Sequence, residues 1–229
     1  MSDKQKEYIS KIISCAKLFK ENFLDKNYLL IYKDENNAYK AIETITYKSN
    51  YLHLTGVKTQ LSGNEFFDKA ISSRLSSTEI NLIENSDIGE KMSVLNYAVS
   101  FPNTTKLTGY FSPCFTKNLY TEILVGNSDF ALGFVKDDIT KEKFFVPNTL
   151  LKGDVKKYIK NAFPIDAVFV KNVKEDKYSN LIHQSAKTIK KGLLSLPLSK
   201  KIKKLIIPYI EVNNYIINQK IACSTNDDI

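Results

Sequence analysis

The chain has no tryptophan, two histidines and three cysteines, and these scarcities set the first limits on its chemistry. Cys15, Cys114 and Cys223 are too few and too scattered for a disulfide framework, and none stands in the paired spacing of a zinc site. Reduced thiols are expected. His53 and His183 join no cluster of cysteines or carboxylates. No transition-metal site is therefore expected, and any catalysis would run without a metal or with loosely held Mg²⁺. No stretch approaches the roughly 18 uninterrupted apolar residues of a membrane helix, and Met1-Ser2-Asp3-Lys4-Gln5-Lys6-Glu7 lacks an apolar signal core. A cytosolic protein with no membrane partner is the expectation. A Walker-type glycine loop, a Gly-x-Gly-x-x-Gly fingerprint and a Gly-x-Ser-x-Gly elbow are all missing. Nucleotide-hydrolase, dehydrogenase and serine-esterase readings lose ground, and no cofactor is expected.

The chain does hold enough apolar material to fold unaided: 229 residues at 43% hydrophobic content suit one large domain, or a compact domain with an extension. Its net charge of +8 is local. Between Lys177 and Ile210 stand eight lysines and no Asp or Glu; the other 25 of the 33 basic residues match the 25 acidic ones. A run of this kind attracts phosphates by counterion release, and a solvated lysine face of an ordinary helix has the same composition.

Along the chain, Ile9, Ile12, Ile13, Ala16, Phe19 and Phe23 recur at helical spacing over about residues 4–26. Tyr28 to Tyr32 is a continuous apolar run of strand length, and the polar turn Lys33 to Asn37 leads to a second strand over 38–47, completing a hairpin. Tyr51-Leu52-His53-Leu54 alternates as a strand does, with Tyr51 and His53 on one side and Thr55-Gly56 closing it. Ser62-Gly63-Asn64-Glu65 has capping-box spacing and predicts a helix burying Phe66, Phe67, Ala70, Ile71 and Leu75. Another helix is expected over 89–99, stopped by Pro102. Residues 107–111, 119–125, 130–136 and 143–146 are short β-rich runs separated by turn signals and read as an antiparallel meander. In the third of these, Phe130, Leu132 and Phe134 form a large-residue face, and Gly133 on the other face admits close approach of backbone or ligand. Residues 165–170 form a more buried strand. Tyr178, Leu181, Ile182, Ala186 and Ile189 mark a helix, Gly192 to Ser199 a linker, and 205–217 at least one more helix. The expected architecture is α+β: N-terminal helices on an antiparallel sheet over residues 1–172, and a basic helical extension over 173–229.

His53 is the first candidate for chemistry, because imidazole both takes and gives a proton near neutral pH. Thr55, Gly56, Lys58 and Thr59 follow it and could supply hydroxyls, backbone amides and a cation to a phosphate. A strand histidine hydrogen-bonded for structure fits the same pattern. His183, beside Ile182 in the basic segment, suits a solvated or capping role. Arg74 is a candidate phosphate ligand, since guanidinium binds two phosphate oxygens at once. Gly126-Asn127-Ser128-Asp129 and Val146-Pro147-Asn148-Thr149 place small polar side chains at strand ends, and both also make good turns.

The stretch Asn50-Tyr51-Leu52-His53-Leu54-Thr55-Gly56-Val57-Lys58-Thr59, with Ser62 to Leu75 after it, resembles the hallmark of the phage barnase-EndoU-colicin-RelE-like nucleases of bacteria and their mobile elements. Gly126-Asn127-Ser128, Gly133-Phe134-Val135 and Phe145 to Leu151 resemble the later part of that family in the same order, so the likeness spans about residues 8–172. It implies N-terminal helices packed on a small antiparallel sheet. It also implies a metal-independent ribonuclease, in which the RNA 2′-hydroxyl attacks the adjacent phosphate and leaves a cyclic phosphate. By the same resemblance His53 serves as base or acid, and Thr55, Lys58, Ser128, Asn148 and Thr149, which fall in matching segments, are secondary candidates for phosphate contact. The partner implied is RNA, tRNA included. The competing readings are a non-catalytic phage or mobile-element protein that binds a host protein, and a DNA-binding module. Oligomeric state is left open.

Overall fold

Helix α1 (Asp3–Phe23) buries Ile12, Cys15, Ala16, Phe19 and Phe23 along one face, the stripe its spacing predicts. The structure is a computed structural model that describes residues 3–81, 86–101, 103–112, 119–141 and 143–214. Cys114, Cys223, the stop at Pro102 and the last residues of the helix expected over 205–217 lie outside the described residues.

After α1, Asp25 takes a left-handed conformation (φ 60°) that turns the chain into β1 (Lys26–Lys33). Asp34 then accepts hydrogen bonds from the amides of Asn36 and Ala38, and this tight turn sets the antiparallel hairpin with β2 (Tyr39–Thr44). The short α2 (Asn50–Thr55) and β3 (Lys58–Thr59) follow. Next comes α3 (Gly63–Ile71), opened by the expected capping box: Ser62 Oγ accepts from the Glu65 amide, and the Glu65 carboxylate accepts from the Ser62 amide. Then come β4 (Ile80–Asn81), paired with β3, and α4 (Ser86–Val99). The meander is β5 (Leu107–Tyr110), β6 (Ile123–Gly126), β7 (Phe130–Lys136) and β8 (Phe145–Lys152). A long strand β9 (Phe163–Asn172) and its neighbour β10 (Asn180–Gln184) complete one sheet of eight strands in the order β1-β2-β8-β7-β6-β5-β9-β10. Because β9 also pairs with β1, the order returns on itself. Among the described residues all strand pairings are antiparallel except β2 with β8, which meet in parallel at Thr44 and Phe145.

The two faces of the sheet carry different cores. Tyr28, Leu30, Val125, Phe130, Leu132, Phe134, Leu150 and Val168 face α1 to α4, which fill that side with rings such as Phe19, Phe66 and Phe67. Each such side chain fully withdrawn from water contributes about 1.5–3 kcal/mol. On the other side Leu29, Ile31, Ala167 and Phe169 meet the C-terminal segment, while Leu124 and Ala131 meet Val155 and Ile159. An α+β protein with N-terminal helices on a mostly antiparallel sheet is what the sequence predicts, and the alternation in β7 falls as expected.

Four local expectations are corrected. Residues 50–55 are helical, not extended: Tyr51, Leu54 and Thr55, spaced three and four apart, are all buried, and Gly56 ends the turn in a left-handed cap with φ 70°. Val146 to Thr149 is no turn but the first half of β8. Pro147 is accommodated there because the ladder shifts register between Gly133 and Phe134, so its missing amide falls at an irregularity. Residues 178–189 are not one helix. The chain returns to the edge of β9 as β10, with His183 opposite Val168, and only then begins α5 (Ala186–Lys191). Ser185 forces that break: it caps α5 through the Thr188 amide, and its hydroxyl donates to the buried Asp166 of β9 at 2.9 Å. Gly192 to Ser199 is no free linker, since Leu193, Leu196 and Leu198 are buried against the sheet and lead into α6 (Lys200–Leu205). Residues 207–214 are again helical.

Candidate functional site

The motif helix α2 is held by what lies beneath it. Tyr51 is fully buried, and its hydroxyl donates to the Ile12 carbonyl of α1 at 2.5 Å while its ring packs on Phe19, Phe66 and Phe67. Burial holds its phenol well above the ordinary value. Upstream, Tyr47 donates to the buried carboxylate of Asp137 at 3.0 Å, tying the entrance of α2 to the β7–β8 connection. Burial first and Asp137 second push the Tyr47 phenol up to about 12. With Tyr51, Leu54 and Thr55 facing inward, helical geometry turns His53 outward, where it is exposed.

The other predicted residues divide into those near His53 and those far from it in the fold. Thr55 is buried; its hydroxyl donates to the Leu52 carbonyl at 2.8 Å and accepts from the Val57 amide at 3.3 Å, so it secures the end of α2. Lys58 is exposed on β3, five residues after His53. Arg74 is exposed just past α3, with its Nε donating to Ser72 Oγ at 3.0 Å. Ser128 is exposed at the tip of the β6–β7 hairpin, where Asn127 Oδ1 accepts from the Asp129 and Phe130 amides and makes the turn. Asn148 and Thr149 lie together on β8. Thr121 Oγ1 sits 3.2 Å from Asn148 Oδ1, and Asn148 Nδ2 donates to the Tyr120 carbonyl at 2.5 Å. Gly133 lies against this cluster, and a Cβ there would stand 2.5 Å from Thr149 Cγ2 and 2.6 Å from Thr121 Oγ1. The close approach expected at Gly133 is thus by neighbouring side chains.

Lys91 of α4 is the neighbour that sequence reasoning missed. Its Nζ donates to the His53 carbonyl at 3.2 Å, placing a cation at the C-terminal end of α2, where the helix dipole favours it. Its stem runs so close beneath Gly56 that a Cβ there would stand 2.7 Å from Lys91 Cδ. No local signal announces Lys91, because the contact joins residues 38 apart. The result is an exposed imidazole whose helix end is clamped by one lysine, with a second lysine, Lys58, just beyond the cap. Such a set can exchange a proton and offset developing negative charge on a phosphate. Among the described residues no group of three or more His, Cys, Asp or Glu side chains converges as metal ligands, and no helix is long and apolar enough to cross a membrane.

Residues 11–187 match the family model described as phage-Barnase-EndoU-ColicinE5/D-RelE like nuclease4. No curated protein and no solved structure matches the chain.

Proposed function

Since the chain belongs to this phage-associated nuclease family, we propose that it is a metal-independent endoribonuclease with His53 at its reaction centre. The observation that carries the reading is the outward imidazole of His53 on a helix anchored from below by Tyr51 and at its end by Lys91. In this reading a base removes the proton of a ribose 2′-hydroxyl, the oxygen attacks the adjacent phosphorus, and the 5′ oxygen leaves with a proton. The products are a 2′,3′-cyclic phosphate and a 5′-hydroxyl. His53 takes or gives one of those protons, and Lys58 and Lys91 lower the cost of charge on the phosphoryl oxygens. Thr55 acts as a positioning residue by holding the end of α2. Arg74 and Ser128, both exposed, meet the RNA outside the centre, while Asn148 and Thr149 shape the sheet.

The test compares wild type and His53→Ala on tRNA and a labelled single-stranded RNA in EDTA, with end-group analysis. Cyclic phosphate from wild type, with a rate loss of about 10²–10⁴ on substitution, is the expected result. Full activity in His53→Ala refutes the assignment. Absence of cleavage by either protein favours a non-catalytic protein that binds a host partner.

A further inference from the structure

We propose that the face of the sheet opposite α1 to α4 carries a second RNA site, a lysine-rich surface that grips the phosphate backbone; the choice of RNA rests on the ribonuclease reading above. Successive residues of β1 separate the two faces: Leu30 points to the core beneath α2, whereas Leu29 and Ile31 point to the core beneath α6. The α6 surface is therefore remote from His53.

All seven lysines of α5 and α6 are exposed, and among the described residues no carboxylate pairs with any of them. Helix stability accounts for only part of this placement. Lys190, Lys191, Lys203 and Lys204 fall in last turns, where cations suit the dipole. Lys187, Lys200 and Lys201 stand at the opposite, positive ends, and neither helix has an acidic residue in its first turn. Lys187 with Lys191 and Lys200 with Lys204 add like-charge pairs four apart, which destabilise a helix. A polyanion is the ligand class that offsets such a cost.

The core enlarges the surface. A cavity of about 290 Å³ between β2 and α6 is lined by Lys40, Lys143, Lys201 and Ser199, with Glu43 among its walls. Glu43 is already engaged: Tyr178 donates to it at 3.2 Å, and the buried Lys171 ammonium lies 4.8 Å from the centre of the Tyr178 ring. Lys40 is 3.7 Å from Asp34 and exposed. Three cationic side chains thus line this cavity, and a phosphate backbone that entered it would continue along α5 and α6. The nuclease family match ends at residue 187, so most of this surface lies beyond it.

The experiment measures anisotropy of a labelled single-stranded RNA of about 16 nucleotides with full-length His53→Ala protein, so that binding is read without cleavage. The same measurement is made after adding K200Q/K201Q/K203Q/K204Q, across a salt series. Loss of three or four phosphate contacts should flatten the log Kd against log salt slope by about 2–3, and weaken binding at least about tenfold near 0.1 M salt. Kd and slope unchanged within twofold overturn the proposal, as does tighter binding of duplex DNA through the same lysines. Melting curves check folding; if the α6 variant melts early, K187Q/K190Q/K191Q reads the same surface from α5 with the same two outcomes. RNA binding that depends on these lysines, in a protein whose wild type cleaves no RNA, leaves the site standing and removes only the ribonuclease reading.

Discussion

Gly56→Ala probes the end of the motif helix, and its cost can be worked from two features. The first is backbone strain: Gly56 sits at φ 70°, a left-handed conformation that costs an alanine about 1–2 kcal/mol. Reduced freedom of the unfolded chain returns about 0.4–1 kcal/mol of that. The second is the new Cβ, 2.7 Å from Lys91 Cδ. A lysine stem can swing aside, but doing so withdraws the ammonium from the His53 carbonyl, an exposed helix-end contribution of about 0.3–1 kcal/mol. The sum spans roughly 0.3–2.6 kcal/mol and centres on about 1.5, read as a lower midpoint in urea unfolding with an unchanged slope. A double-mutant cycle separates the parts. In a Lys91→Ala background only the strain remains, so Gly56→Ala should cost about 0.3–1 kcal/mol less there. Gly56→Asn, which tolerates the left-handed region, should keep the Lys91 effect and shed much of the strain. Wild-type stability in Gly56→Ala would refute the cap argument, and strict additivity of the cycle would refute the Lys91 contact.

Three further outcomes follow from burial and packing. Tyr51→Phe should lower stability by about 1–2 kcal/mol in the same urea assay, since it strips a buried hydroxyl from the Ile12 carbonyl. Gly133→Ala should cost about 1–3 kcal/mol by overpacking against Thr121 and Thr149, and Thr149→Ser should recover part of it by removing the offending methyl. Burial first and the charge of Lys106 second depress the His183 imidazole below its ordinary value of 6.5. The unfolded chain then takes up that proton more readily, so the contribution is complete above pH 6.5 and is lost as pH falls through the lower folded value. His183→Gln should flatten the wild-type loss of stability between pH of about 7 and 5, and an unaltered pH profile would contradict this.

Elements that carry their own partners were legible before the fold was. The stripe of α1, the turn between β1 and β2, the capping box of Ser62 and Glu65, and the alternation of Phe130, Leu132 and Phe134 each depend on residues a few positions apart. The nuclease motif around His53 was equally visible, because it is a contiguous string. The geometry around it was not: Tyr51 to Thr55 fits two periods, and Lys91 enters from α4.

By itself, then, the sequence determined the α+β class, the amphipathic N-terminal helix, the meander, the family motif and the concentration of lysines near the C-terminal end. Tertiary structure alone decided that α2 is a helix, because so short a segment cannot pay for its own nucleation and takes its form from the α1 carbonyl and the α3 rings that receive Tyr51. It likewise decided that Pro147 lies inside a strand, where the register shift in β7 spares the missing amide, and that residues 180–184 pair with β9 before α5 begins. It also set the lysines of α5 and α6 on the face away from His53, because the leucines between those helices bury themselves against the far side of β1 and β9.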